Sequence, residues 1–226
     1  MVNFIIGSFI GSFLCVVAQR VPVNRSFVYA RSECDHCHKQ LRFWEMIPIL
    51  SCLFLRFRCR RCRKKISITI WLAEIIYGGL MVLIFLQTTE KGQLLSFIWL
   101  TSAFLLSLTD WFYGIVEPKI LYPSQFLMWG AMFYYQEPFY VWSCALLLGL
   151  ILWFSFYRKE VLGLGDLILL AFWVPWLSLQ QLGLLLLIAS SLALCVFGIY
   201  YLWNKKPLER LPFVPFLSIG LVVLFF

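Results

Sequence analysis

The sequence predicts an all-α polytopic membrane protein of about eight transmembrane helices, with a cytosolic loop after the first. Three observations carry that prediction. Of 226 residues, 62% are hydrophobic and 13% charged, where a soluble domain averages about 45–50% apolar and about 25% charged residues. The charge is also concentrated. Residues 20–65 hold twelve of the nineteen Lys and Arg and three of the eleven acids, a local net charge of +9, while the rest of the chain sums to −1. Outside that stretch, apolar runs recur at lengths near 20 residues, the length of a membrane-crossing helix. A soluble globular domain is excluded, and so is a disordered chain, which needs the opposite bias.

The elements follow in order. Residues 2–19 form an apolar run with no basic segment before it and no small-residue cleavage site after it, which reads as a retained span and not a removed signal peptide. Basic residues follow, so its C-terminal end faces the cytoplasm and its N-terminus faces out. Further spans read at 66–87, 93–110, 119–135, 139–157, 165–180, 182–203 and 211–226, with Pro118 and Pro123 interrupting the stretch 111–125. With 20–65 inside, Lys119, Arg158, Lys159, Lys205, Lys206 and Arg210 also fall inside, and Lys91 alone falls outside. That asymmetry is what the positive-inside rule demands. A basic patch can also serve nucleic acid, but a loop at a membrane faces anionic lipid, so the bilayer and not nucleic acid is the expected partner.

The loop carries Cys34-x-x-Cys37 and Cys59-x-x-Cys62, with 21 residues between the pairs. Each pair can bend two thiolates onto one metal, and two such knuckles complete a tetrahedral four-cysteine site. A reducing cytosol disfavours disulfides and favours zinc, making the loop zinc-ribbon-like. The neighbouring Arg and Lys would stabilise the thiolates. A closed tetrathiolate site has no position for a catalytic water, so this zinc is structural and folds a segment too small to stabilise itself. Redox-active or unligated thiols are the alternative. His36 and His38 are expected to be solvated, and Cys15, Cys52, Cys144 and Cys195 to pack as small hydrophobes.

Of three Asp in the chain, Asp35 lies in the loop, whereas Asp110 and Asp166 sit where apolar spans meet the cytoplasmic boundary. Ionisable groups there are costly and mark function. Two carboxylates at matched depth can share a proton and activate a water. Asp166 follows Gly163-Leu-Gly165, and those glycines allow close approach of backbone and an extended substrate. Either aspartate alone could simply end a helix. Glu74 lies well inside the second span, either as a buried structural carboxyl or as part of a further site. Gly7-x-x-x-Gly11 in the first span suits close helix packing.

Taken together, these residues resemble the prepilin peptidases (type IV leader peptidases), membrane aspartyl proteases of the Gly-x-Gly-Asp class, over nearly the whole chain. The resemblance rests on GSFLCVVAQRVP at 11–22, Arg31-Ser32, both Cys-x-x-Cys pairs, Pro48, Ser51, Ile66-Ser67, Glu74, Asp110 and Gly163-x-Gly165-Asp166. Ile-Val-Glu-Pro stands where the family usually has Ile-Pro, Ile168 where it commonly has Lys, and Cys15 where Asn is frequent. The resemblance implies a bacterial cytoplasmic-membrane enzyme that cleaves the basic leader of prepilin-like or pseudopilin precursors after a glycine, with Asp110 and Asp166 catalytic. It implies N-methylation of the new N-terminus from S-adenosylmethionine, with Glu74 a candidate cofactor-binding residue. Residues 1–90 would form the methyltransferase module and 91–226 the protease. The short chain is similar to the competence-pseudopilin type of Gram-positive bacteria. Glu117 and Glu160 are candidate partners for a basic leader. Two rival functions are an intramembrane aspartyl protease with another substrate, and a transporter or scaffold with a zinc-ribbon docking loop.

Overall fold

The computed structural model describes the chain except residues 27–32, 35, 38, 88, 157–162 and 206–209, and of 154–156 only the backbone. The described residues form helices α1 (Val2–Arg20), α2 (Leu50–Phe54), α3 (Ile68–Leu86), α4 (Glu90–Tyr113), α5 (Pro118–Tyr134), α6 (Val141–Phe156), α7 (Leu164–Trp173), α8 (Leu179–Asn204) and α9 (Val214–Phe225), with 3-10 turns at Phe43–Met46 and Val174–Trp176. Among those residues no strand is present. Helices α1, α3, α4 and α8 are long and apolar enough to cross a membrane, and α6, α7 and α9 are shorter apolar helices. Each of the eight runs read from the sequence falls on a helix. One boundary moved. The run 165–180 ends as a helix at Trp173, because Pro175 turns the chain into a 3-10 turn and Ser178 with Gln181 then builds the capping box of α8.

The chain divides into two compact units, Met1–Gln93 and Leu94–Phe226. In the first, α1 packs on α3 along the Gly7-x-x-x-Gly11 stripe. A Cβ on Gly7 would lie 2.7 Å from Met81 Cβ and 2.9 Å from Gly78 Cα, and one on Gly11 would lie 2.9 Å from the Ala73 carbonyl oxygen. The absence of side chains is therefore what lets the backbones approach. The faces turned away from this seam carry exposed Ile5, Phe9 and Phe13 on α1 and Ile76 and Phe85 on α3, as lipid contact requires. Cys15 and Cys52 are buried in this unit.

In the second unit, the turn at Val174–Trp176 is the packing centre for α5 and α6. Trp176 meets Trp129, Phe133 and Phe139 edge-on. The Ser143 hydroxyl donates to the Leu177 carbonyl at 2.6 Å, and Tyr140 N–H donates to the Pro175 carbonyl at 2.8 Å. Trp99 on α4 meets Trp173 on α7 and Phe225 on α9, also edge-on. The Ser107 and Ser218 hydroxyls are 2.6 Å apart, a polar clasp between α4 and α9. Cys195 is exposed on α8, not packed as its residue type suggested; an apolar membrane solvent makes no demand that it be covered.

Candidate active site and metal centre

Asp110 lies in the last turn of α4, where the helix dipole is unfavourable to a carboxylate. The chain meets that cost with a second helix. The backbone N–H of Val214 donates to Asp110 Oδ2 at 3.0 Å, and Phe213 N–H donates to the same carboxyl, so the N-terminus of α9 faces it. Asp110 is buried at 7% exposure. Immediately after it, α4 is stopped by Gly114, whose φ of +65° suits glycine and whose N–H donates to the Asp110 carbonyl at 2.8 Å. The Arg210 guanidinium sits over this glycine, 3.2 Å from where a Cβ would stand.

Asp166 occupies the first turn of α7, the end that favours an acidic group. It is half-buried and close enough to Asp110 to feel its charge. The two glycines before it have separate jobs. A Cβ on Gly163 would stand 3.3 Å from Asp166 Oδ2, and one on Gly165 would press Val116 Cβ and Cγ2 at 3.0 Å. Gly163 therefore leaves room for the carboxylate, and Gly165 lets α7 reach the α4–α5 connection that follows Asp110. Two carboxyls brought to one place, one fixed by amide donors and one on a helix start, can divide a proton between them and activate a water.

Glu117, the residue before α5, is buried at 8% exposure, as Asp110 is at 7%. Its partner candidate Glu160 lies outside the described residues, as do Arg31, Ser32, Asp35, His38, Arg158, Lys159 and Lys206.

In the first unit, Cys34, Cys37, Cys59 and Cys62 form one cluster that could hold a metal, their sulfurs all within 4.8 Å of one another. Cys34 and Cys62 Sγ are 3.9 Å apart, against about 3.8 Å for two thiolates on one tetrahedral zinc with Zn–S near 2.3 Å. The two pairs are built alike. Cys34 N–H donates to the Lys39 carbonyl and Cys59 N–H to the Lys64 carbonyl, closing a turn that an isolated bridge flanks in each case, Glu33 with Gln40 and Arg58 with Lys65. Amides of Cys62 and Arg61 point at the Cys59 sulfur and bring its thiol down to about 7. Partial burial pushes the matching Cys34 thiol up to about 11, against amides of His36 and Cys37. At Cys59 the largest stabilising contribution to the thiolate comes from the backbone N–H groups of Cys62 and Arg61. His36 is exposed and outside the cluster.

Glu74, in α3, is buried and accepts the backbone N–H of Ile49 at 2.7 Å and a hydrogen bond from Ser12 of α1. Ile49 takes φ +63° to present that N–H, a conformation costly for a β-branched residue.

Known proteins resemble this chain along nearly its whole length. Residues 5–88 match the Bacterial Peptidase A24 N-terminal domain, and residues 94–199 match the Type IV leader peptidase family. A "Type 4 prepilin-like proteins leader peptide-processing enzyme" of Escherichia coli O78:H11 is 31% identical over 95% of this chain and 88% of its own length. The chain belongs to the type IV leader peptidase family. Among other relatives in this family, a "Prepilin leader peptidase/N-methyltransferase" of Aeromonas hydrophila is 31% identical, covering 96% of this chain and 87% of its own. One of the same description from Myxococcus xanthus is 47% identical over 33% of this chain and 22% of its own. No solved structure matches.

Some site residues of this leader peptidase were invisible in the sequence. The amide donors Phe213 and Val214 carry no side-chain chemistry, and only Pro215, at the second position of a new helix, marked a helix start there. Val116 as the neighbour of Gly165, and Ile49 as the partner of Glu74, are contacts between residues far apart in the chain.

Proposed function

We propose that this enzyme cleaves the leader of type IV prepilin-like or pseudopilin precursors after a glycine, with Asp110 and Asp166 as the catalytic pair, and then methylates the new N-terminus. The observation that carries the reading is that Asp166 lies close enough to Asp110 to feel its charge, with Gly165 of α7 set against Val116 six residues past Asp110, inside the segment that matches the leader peptidase family. One carboxylate takes a proton from water as that water attacks the scissile carbonyl; the other, protonated, donates to the carbonyl oxygen. The resulting diol collapses as a proton passes to the leaving amine. The names of the relatives support both activities.

The site lies at the cytoplasmic face of a bacterial plasma membrane. The distribution of cations supports that orientation, and a precursor with a basic leader and an apolar helix would present its junction there. Residues 94–226 act as the protease, and the first unit, with the cysteine cluster and Glu74, serves methyl transfer. S-adenosylmethionine would supply an electrophilic methyl group; Glu74, held by Ile49 and Ser12, is the candidate acid beside it. Zn2+ is the metal that suits four thiolates at this spacing, and its role is to hold the loop folded.

The test is leader cleavage by membranes carrying Asp110→Asn or Asp166→Asn, with products read by mass spectrometry. Each variant should be present at normal abundance and leave the precursor intact. Processing by either variant would overturn the pair.

A further inference from the structure

We infer that residues 43–54 form an interfacial segment inserted in the same leaflet as the cytoplasmic ends of α1 and α3, with anionic phospholipid headgroups bound by the arginines that follow it. The inference depends on membrane embedding alone and is independent of the protease reading.

The depth comes from one hydrogen bond. Helix α3 has 19 residues, so at 1.5 Å per residue it spans close to the full hydrocarbon thickness. Glu74 stands six residues past Ile68, about 9 Å inside that end at the same rise. Ile49 N–H donates to Glu74 Oε2 at 2.7 Å, and Cys52, buried, is near enough to feel the same carboxyl. The loop therefore does not stand off in the cytosol between the two spans. It folds back along them to a level where a lipid tail would otherwise lie.

The side chains on its open side agree with that depth. Phe43 is 79% exposed, Trp44 57% and Phe54 83%, and Met46, Leu50 and Leu53 are also exposed. In water this many large apolar groups in one short stretch would be an aggregation liability; at the acyl boundary they are an anchor. The segment's one acid, Glu45, is bonded back onto its own turn, where it accepts Arg42 N–H at 2.8 Å and closes the 3-10 turn. Arg42 lies over the Trp44 ring, 5.7 Å from its centroid, the arrangement of a cation reaching back from an aromatic at the interface.

Charge names the occupant above the anchor. Positive φ values at Arg56 and Phe57 turn the chain out of α2. There a recess of about 640 Å³ is lined by Phe54, Leu55, Cys59 and the guanidinium-bearing Arg56, Arg58, Arg60 and Arg63, with no acid among its lining. Four cations beside an apolar anchor fit a phosphodiester headgroup whose tails continue past Phe54.

The experiment uses the full chain in phosphatidylcholine vesicles, with or without phosphatidylglycerol, carrying a photoactivatable carbene source in the acyl chain. Adducts on residues 43–54 should approach the yield on lipid-facing Ile5 and Phe9, and exceed those on residues 60–65 about tenfold. Phosphatidylglycerol retained per chain should fall about threefold or more in Arg56→Gln/Arg60→Gln, which spares the cysteines. Acyl adducts on 43–54 no higher than on 60–65 would overturn insertion. Equal retention of phosphatidylglycerol and phosphatidylcholine, or displacement of the lipid by inorganic phosphate alone, would overturn the headgroup assignment.

Discussion

Val214 donates its backbone N–H to the carboxylate of Asp110 across 104 residues of chain, at 3.0 Å. A carboxylate at the unfavourable end of α4 is thus met by the favourable end of α9, and the bond fixes which way Asp110 faces.

That relationship separates two substitutions that would otherwise look alike. Asp110→Asn keeps an oxygen for Val214 and should abolish cleavage with the melting temperature unchanged. Asp110→Ala should also be inactive, and should be destabilised by about 1–3 kcal/mol, because it leaves buried N–H groups without an acceptor. Thermal denaturation in detergent, run beside the cleavage assay, distinguishes them. Equal stability of the two variants would contradict the clasp.

Gly165 makes a second prediction. A Cβ there meets Val116 at 3.0 Å, so Gly165→Ala should push α7 from the Asp110 loop and cut cleavage about tenfold, equivalent to an overpacking cost within about 1–3 kcal/mol. Removing the obstacle should repair it. Gly165→Ala/Val116→Ala ought to recover most of the rate, and failure of that rescue would show that the glycine serves the substrate and not the helix contact.

The cysteine cluster predicts one zinc per chain in the purified protein. Cys59→Ser or prolonged chelation should release the metal and open the stretches of residues 20–65 on either side of 43–54 to protease, while the spans and the inserted residues 43–54 stay protected. Metal content well below one, or a loop equally resistant with and without it, would exclude a structural zinc.

Glu74 allows the two activities to be separated. Glu74→Gln retains an acceptor for Ile49, so the first unit should fold and cleavage should continue at a near-normal rate. Methylation of the product should fall at least about tenfold if the carboxylate serves the methyl-transfer step. Mass spectrometry of the processed N-terminus reads both in one sample. Unchanged methylation would return Glu74 to a purely structural role.

How far the sequence went depended on the range of the interaction. Helices announced themselves through apolar length, and Gly7 and Gly11 through their spacing, because both signals are local. The cysteine knuckles were legible for the same reason. What settles the site is not local. Asp110 is held by Val214, Gly165 is explained by Val116, and Glu74 is explained by Ile49, and in each case the partner is an amide or a methyl group with no pattern of its own. The end of α7 at Trp173 was missed because hydrophobic length outweighed Pro175, although that proline carried the information.

The distance between Asp110 and its clasp also has a temporal side. A ribosome delivers Asp110 to the membrane well before Phe213 and Val214 leave the exit tunnel, and until then its carboxyl lacks the donors that orient it. The matched family segment ends at residue 199, yet a nascent chain of that length would hold both aspartates without the amides that orient one of them. The orientation of Asp110 is therefore completed only with α9, among the last residues of the chain to be made.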